Sequence, residues 1–309
     1  MINDRQGKES IIVSIPGLKI GHAEDQKNQT GVSVFLFDEP ATCGYHLCGS
    51  APALRDVQVL DLDTCVNEVH GLALTGGSAF GLDITSGVMQ WLEEQGKGLQ
   101  TPHRQIPLVP TAAIYDFDSG QAVAPTPELA YQACESASGD YQYGRVGAGF
   151  GASAGKAWQD ATPTRTGIGL SVIQTGDNRI VSVAVVNAVG DIYQENQIIA
   201  GAKDNQGSFI NLEKKISQGD FNIELSPNQN TVLVANFIDG ALPVKELAII
   251  SKMTTAGMAR AIRPSFTSFD GDIVFTAAVG KKALSDADTM RLGTACALNV
   301  EQAIINSVR

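Results

Sequence analysis

Basic residues are scarce. Lys and Arg number 22 against 33 Asp and Glu, a formal net charge of −11, and no Lys/Arg run concentrates what there is. Nucleic acid and anionic membrane both need a basic face, so neither is expected as a partner. Uncharged apolar runs are short as well. None approaches the ~20 residues that span a bilayer, and residues 1–10 are charged and carry no apolar signal region. Cysteine is sparse and odd in number. Cys43, Cys48, Cys65, Cys134 and Cys296 are irregularly spaced, which argues against a disulfide framework and for a reduced, cytoplasmic protein. Cys43 and Cys48 flank His46, but two thiols and one imidazole at that spacing match no standard zinc pattern, and no metal is expected.

What is present is the composition of a globular chain: 43% hydrophobic and 18% charged over 309 residues, with 32 glycines gathered in several tight motifs. That length allows one large domain or two ordinary ones. With no repeat, low-complexity segment or convincing linker, the chain reads as one domain over residues 1–309. Residues 11–20 and 32–37 alternate as strands joined by a polar link over residues 22–30. The small-residue loop Cys48-Gly49-Ser50-Ala51-Pro52-Ala53-Leu54-Arg55-Asp56 either lines a cleft or simply turns. Residues 69–74 are a short apolar run leading into Thr75-Gly76-Gly77-Ser78-Ala79-Phe80-Gly81 and then a helix ending near Gly96.

Residues 108–117 read as a strand carrying Tyr115 near its end, as a core tyrosine or as one that reaches a cleft. Residues 167–173 and 180–187 pair across a turn at residues 175–178, and Asn187 closes the second strand. An amide there either caps a turn or faces a polar site. Pro243 starts a helix that Pro264 stops, residues 273–279 form a strand, and a last helix covers about residues 285–308. Strands in groups with long helices between and after them suggest stacked sheets flanked by helices.

Gly147-Ala148-Gly149-Phe150-Gly151-Ala152-Ser153-Ala154-Gly155-Lys156 resembles a nucleotide loop and fails both tests. A P-loop needs Gly where Phe150 stands and Ser or Thr where Ala157 stands; the dinucleotide pattern fits only with Ala152 in its third place and lacks its acidic partner. No cofactor is expected. Lys156, behind so many small residues, reads as partly buried.

The remaining signal lies at Asn230-Thr231. Residues 201–230 are polar and read as exposed chain, and at Thr231 the sequence turns abruptly into the β-branched run Thr231-Val232-Leu233-Val234. A hydroxyl at that junction is either an ordinary strand start or a nucleophile that cuts the bond before it. Asp270 and Asp272, two apart in Phe269-Asp270-Gly271-Asp272, would share one face in extended chain or mark a plain turn.

Taken together, Leu74-Thr75-Gly76-Gly77-Ser78-Ala79-Phe80-Gly81-Leu82, Ala113-Ile114-Tyr115-Asp116-Phe117, the run from Gly147 to Lys156, Asn230-Thr231 and Phe269-Asp270-Gly271-Asp272 resemble the self-processing family of DmpA-type L-aminopeptidase/D-esterases, β-aminopeptidases and 6-aminohexanoate oligomer endohydrolases. The resemblance implies an αββα sandwich cut between Asn230 and Thr231 into chains 1–230 and 231–309, usually assembled as a homotetramer. It places the nucleophile on Thr231, with Tyr115, Asn187, Lys156 and the acidic pair Asp270 and Asp272 around it. Threonine with a double aspartate sides with the oligomer-hydrolase branch, where the aminopeptidase branch has serine with a serine–glutamate pair.

The chemistry expected is amide or ester hydrolysis of small peptides, amino-acid amides or amino-acid oligomers. The freed α-amine of Thr231 would serve as base to its own hydroxyl, with Asn187, assisted by Tyr115, as oxyanion donor. The acidic pair would position Thr231, and Lys156 would offset it. Two other readings stand beside this one: acyl transfer of the ornithine-acetyltransferase kind, and a silent homologue that never cuts itself.

Overall fold

A computed structural model describes residues 9–11, 14–66, 68–220 and 229–308. Nine strands and four long helices carry the architecture. In chain order they are β1 (Leu18–Asp25), β2 (Thr30–Leu47), β3 (Ala53–Arg55), β4 (Glu68–Thr75), α1 (Thr85–Glu94), β5 (Thr111–Ala113), α2 (Pro127–Glu135), β6 (Ile168–Thr175), β7 (Asn178–Asn187), β8 (Thr231–Ile238), α3 (Val244–Ala261), β9 (Ile273–Ala278) and α4 (Asp286–Asn306).

The hydrogen-bond ladder is continuous in the order β6-β7-β8-β9-β2-β4-β5-β3, with β1 also on β2. It nevertheless forms two layers, because β2 is long enough to serve both. Its first half pairs with β1 and β4, its residues 42–47 pair with β9, and the register jumps between Leu36 and Ala41. The bend falls at Asp38, Glu39 and Pro40, which are exposed, and proline there withdraws a ladder donor. Period-two alternation then sorts the side chains. Phe35 and Phe37 turn inward onto Phe237 of the other layer, at ring-centroid distances of 5.0 and 6.1 Å, amid Leu72, Ile114, Val183, Leu233 and Phe275. Val32, Val34 and Leu36 turn outward under α1 and α2 with Val88, Leu92 and Ala133. Ala184, Val186 and Val234 face outward on the other layer, packed with Met258 of α3 and Ile304 of α4. Three cores between four layers give the αββα sandwich.

Several sequence expectations shift. The strand expected over residues 11–20 is divided: Ile11 ends a short strand, Glu9–Ile11, that pairs with Tyr141–Tyr143, β1 begins at Leu18, and Ile12 and Val13 lie outside the described residues. The supposed link over residues 22–30 is mostly strand, because β1 pairs with β2 from Leu18 opposite Phe37 through Asp25 opposite Thr30. Only Thr111–Ala113 of the expected 108–117 strand is extended, since prolines at 107 and 110 supply no ladder donors. The 201–230 segment is not simply exposed. Ala202, Leu212 and Asn230 are buried, and Leu212–Ser217 is helical; residues 221–228 lie outside the described part. The hairpin at residues 175–178 and both C-terminal helices fall where periodicity puts them, α3 entering at Pro243 and α4 capped by a Ser285–Asp288 box. Among the described residues, no helix is long and apolar enough to cross a membrane.

Candidate active site

The sheet itself brings the candidate residues together. Asn187 ends β7 and Thr231 begins β8, and the antiparallel register sets them directly opposite one another. Leu233, Ala235 and Phe237 face the inner core, so period two turns Thr231 to that side as well. Strand β8 runs parallel to β9. The residues that precede both strands therefore also lie side by side, and Asn230 bridges to Asp270. Thr231, Asn187, Asp270 and Asp272 are all at most 3% exposed.

The scissile carbonyl expected from the sequence is held from two sides. Thr231 Oγ1 donates to the carbonyl oxygen of Asn230 at 2.5 Å, and the backbone N–H of Gly271 donates to the same oxygen at 2.9 Å. Sequence reasoning missed the second donor, although its residue stands in the Asp-Gly-Asp motif. Gly271 is there for space: a Cβ would lie 2.7 Å from Thr231 Oγ1 and 2.6 Å from the Ala51 carbonyl. The loop after β2 does not merely turn. The N–H groups of Cys48 and Gly49 donate to the Asp272 carbonyl at 3.0 and 2.9 Å, and those of Ser50 and Ala51 to the Asp270 carbonyl at 2.7 and 2.9 Å. Gly49 permits this approach, since a Cβ would meet Asp272 N at 2.2 Å.

The two carboxyl groups have different surroundings. Asp270 Oδ2 accepts from the N–H and hydroxyl of Thr267 at 2.8 and 2.7 Å, and Asp272 Oδ1 accepts from Val232 N at 2.7 Å. Burial raises the pKa of both. For Asp270 the rise is opposed by the Thr267 hydrogen bonds and the Lys156 charge. For Asp272 it is reinforced by the charge of Asp270, so its pKa stands well above the usual carboxylate range. The charge of Asp270 thus works against ionisation of Asp272.

Lys156 is half-buried, its Nζ donating to Asn187 Oδ1 at 2.9 Å and to the Gln229 carbonyl. Burial lowers its pKa to about 7 against the opposing pull of Asp118, Asp116 and Asp270. The Asn187 amide is fully engaged. Its Nδ2 donates to the carbonyls of Tyr115 and Gln229 at 2.8 and 3.3 Å, and its Oδ1 accepts from Lys156 and from Ser153 N. Tyr115 thus joins the cluster through its carbonyl, while its ring meets Phe117 edge-on at 5.1 Å. Asp116 anchors that turn: its buried carboxylate accepts from Gly77 N at 2.8 Å and from the Thr30 hydroxyl at 2.6 Å. This ties the Thr75-to-Gly81 motif to the site through packing. Among the described residues no group of His, Cys, Asp and Glu is placed to hold a metal.

The model of peptidase family S58 matches residues 10–309. The chain belongs to peptidase family S58. A relative described as an uncharacterized aminopeptidase of Mycobacterium tuberculosis is 32% identical across 96% of this chain and 88% of that protein. A 6-aminohexanoate-oligomer endohydrolase of a Kocuria species is 32% identical across 87% of this chain and 75% of its own length. Among solved structures, the L-aminopeptidase D-Ala-esterase/amidase of Ochrobactrum anthropi, described as a variant of the Ntn hydrolase fold, superposes with a TM-score of 0.74 at 14% identity, over 96% of this chain and 85% of that one. A Burkholderia β-aminopeptidase gives 0.70 at 16% identity, over 95% and 84%. This S58 member is a hydrolase of peptide bonds. Hydrolysis is thereby favoured over the acyl-transfer and silent alternatives.

Proposed function

We propose that Thr231 is the nucleophile, first of its own cleavage and then of substrate hydrolysis. The observation that carries this reading is the pairing of Thr231 Oγ1 with the Asn230 carbonyl oxygen at 2.5 Å, with Gly271 N–H already on that oxygen at 2.9 Å. In the first act Oγ1 attacks the Asn230 carbonyl carbon and the charge developing on the oxygen meets the Gly271 donor. The C–N bond breaks with a proton passing to nitrogen, leaving an ester and a free α-amine on Thr231. Water then releases the Asn230 carboxylate.

In the second act that amine, with an ordinary pKa of ~7.7–8.0, is the base for its own hydroxyl. The hydroxyl attacks a substrate amide, the amine product leaves, and water resolves the acyl-enzyme. Departure of Gln229 frees the Asn187 amide to serve as a substrate oxyanion donor, positioned by the Tyr115 carbonyl and Lys156. One such donor is worth ~2.7–4 kcal/mol. Asp270, clamped by Thr267, orients the new Thr231 ammonium, and Lys156 moderates its charge.

This reading takes residues 1–309 as one self-cleaving unit divided into 1–230 and 231–309. The unit is a cytoplasmic homotetramer acting on short peptides, amino-acid amides or amino-acid oligomers. The free state of all five cysteines is in keeping with a reducing compartment, and gel filtration tests the assembly. The deciding experiment is intact mass. Wild-type protein yields a fragment that begins at Thr231, and Thr231→Ala gives one inactive polypeptide of 32.5 kDa. Two fragments from T231A end the scheme.

A further inference from the structure

Asp116 is a buried acid that the chemistry of Thr231 does not use directly. It is 3% exposed. Its Oδ1 accepts from Gly77 N at 2.8 Å and its Oδ2 from the Thr30 hydroxyl at 2.6 Å. Two glycines make room for this arrangement. A Cβ on Gly76 would lie 2.1 Å from both Asp116 Oδ2 and Thr30 Oγ1, and one on Gly151 would lie 2.7 Å from Asp116 Oδ2. The Thr75-to-Gly81 and Gly147-to-Lys156 motifs thus both give up side-chain volume to one carboxylate. Burying a charge is costly even when it is paired, and a turn needs no charge to hold it.

The neighbouring peptide supplies a reason. The bond that joins Tyr115 to Asp116 carries the Tyr115 carbonyl, which accepts from Asn187 Nδ2 at 2.8 Å. An asparagine amide can lie either way round, and its partners decide which end points where. Here Lys156 Nζ at 2.9 Å and Ser153 N at 3.3 Å fix Oδ1, and the Tyr115 carbonyl fixes Nδ2. Held this way, Nδ2 also donates to the Gln229 carbonyl at 3.3 Å, one peptide unit ahead of the Asn230–Thr231 bond. A tilt of the Tyr115–Asp116 peptide would remove the acceptor behind Nδ2. The charge of Asp116 also acts on Lys156, which holds the other end of the same amide. One acid therefore steadies both ends.

We propose that Asp116 is a positioning residue of self-cleavage: through the Tyr115 carbonyl it keeps the Asn187 amide turned with Nδ2 toward the chain that Thr231 attacks, and it never meets the reacting atoms. The inference rests on Thr231 being the nucleophile.

The test follows the full chain during cell-free synthesis, as the rate at which full-length product converts to two fragments, and so requires no substrate. Asp116→Asn keeps the outline and loses one acceptor oxygen; it should slow conversion by about tenfold or more. Asn187→Ala should slow it as well. Adding Asp116→Asn to Asn187→Ala should cost no more than about a further twofold, because the route runs through an amide that is already gone. A merely structural role would instead multiply the two effects. Thr30→Val, which removes the donor to Oδ2, should slow conversion by about threefold or more, while Thr30→Ser stays within about twofold of wild type. That pair carries the test if Asp116→Asn does not fold, as judged by its denaturant midpoint in a Thr231→Ala background. Full-rate cleavage by folded Asp116→Asn, equal rates for Thr30→Val and Thr30→Ser, an unslowed Asn187→Ala, or multiplied effects in the double variant overturns the proposal and leaves the nucleophile standing. A wild-type chain that never cuts overturns both.

Discussion

At the residue scale, the site depends on a glycine between two aspartates. The Gly271 N–H reaches the Asn230 carbonyl because no side chain stands between Gly271 and Thr231 Oγ1. Gly271→Ala should therefore slow self-cleavage by about 10²-fold, the scale of a lost or displaced oxyanion donor, measured as the rate at which full-length chain converts to fragments on a gel. Lys156 offers a pH test. Its pKa is lowered to about 7 by burial, whereas in the unfolded chain it keeps a lysine's ordinary ~10.4. Between those values the unfolded state binds a proton that the folded state does not, so stability rises with pH across that window. In a Thr231→Ala background, denaturant midpoints should climb from pH 7 to pH 9, and less steeply with Lys156→Met. Thr231 and the aspartate pair stand out in the sequence through the family resemblance, since an ordinary strand start and a plain Asp-Gly turn are their local readings. The Gly271 donor does not, since a backbone N–H has no signature in a sequence and acquires its role from what lies beside it.

At the scale of elements, part of the chain between β7 and β8 is held by a buried acid. Asp191, at the start of the strand Asp191–Gln194, accepts from Ala202 N at 3.0 Å and Leu212 N at 2.7 Å. Burial, outweighing these two hydrogen bonds, raises its pKa to about 6. Asp191→Ala leaves both amides without their acceptor, at a cost of ~1–3 kcal/mol for each that stays buried. Hydrogen exchange at Ala202 and Leu212 should accelerate at least tenfold while amides within β7 and β8 keep their protection. Polar composition reads residues 201–230 as free chain; the Asp191 carboxylate instead pins Ala202 and Leu212. Periodicity, by contrast, located β6, β7, α3 and α4 well, because each buries a regular face and carries its own turn or cap.

At the scale of the whole molecule, the bent strand β2 lets one hydrogen-bond ladder become two facing layers, and Phe237 is where the layers meet. Phe237→Ala, opening a cavity beneath Phe35 and Phe37, should destabilise the fold by ~3–5 kcal/mol. A fall in urea midpoint with an unchanged m-value checks it. A loss below ~1 kcal/mol would mean that the two layers do not rely on this contact. The sequence by itself determined the stacked-sheet class, the strand that begins at Thr231, and the residues that resemble a self-cutting hydrolase. Those features are set by local periodicity and by residue type, which travel with the chain. Only the tertiary structure decided that the Gly271 N–H meets the Asn230 carbonyl, that Lys156 and Asn187 grip the residue before it, and that Asp272 accepts from Val232 in an enclosed place. Each depends on groups 30 to 120 residues apart meeting in a desolvated space, where spacing along the chain no longer measures distance.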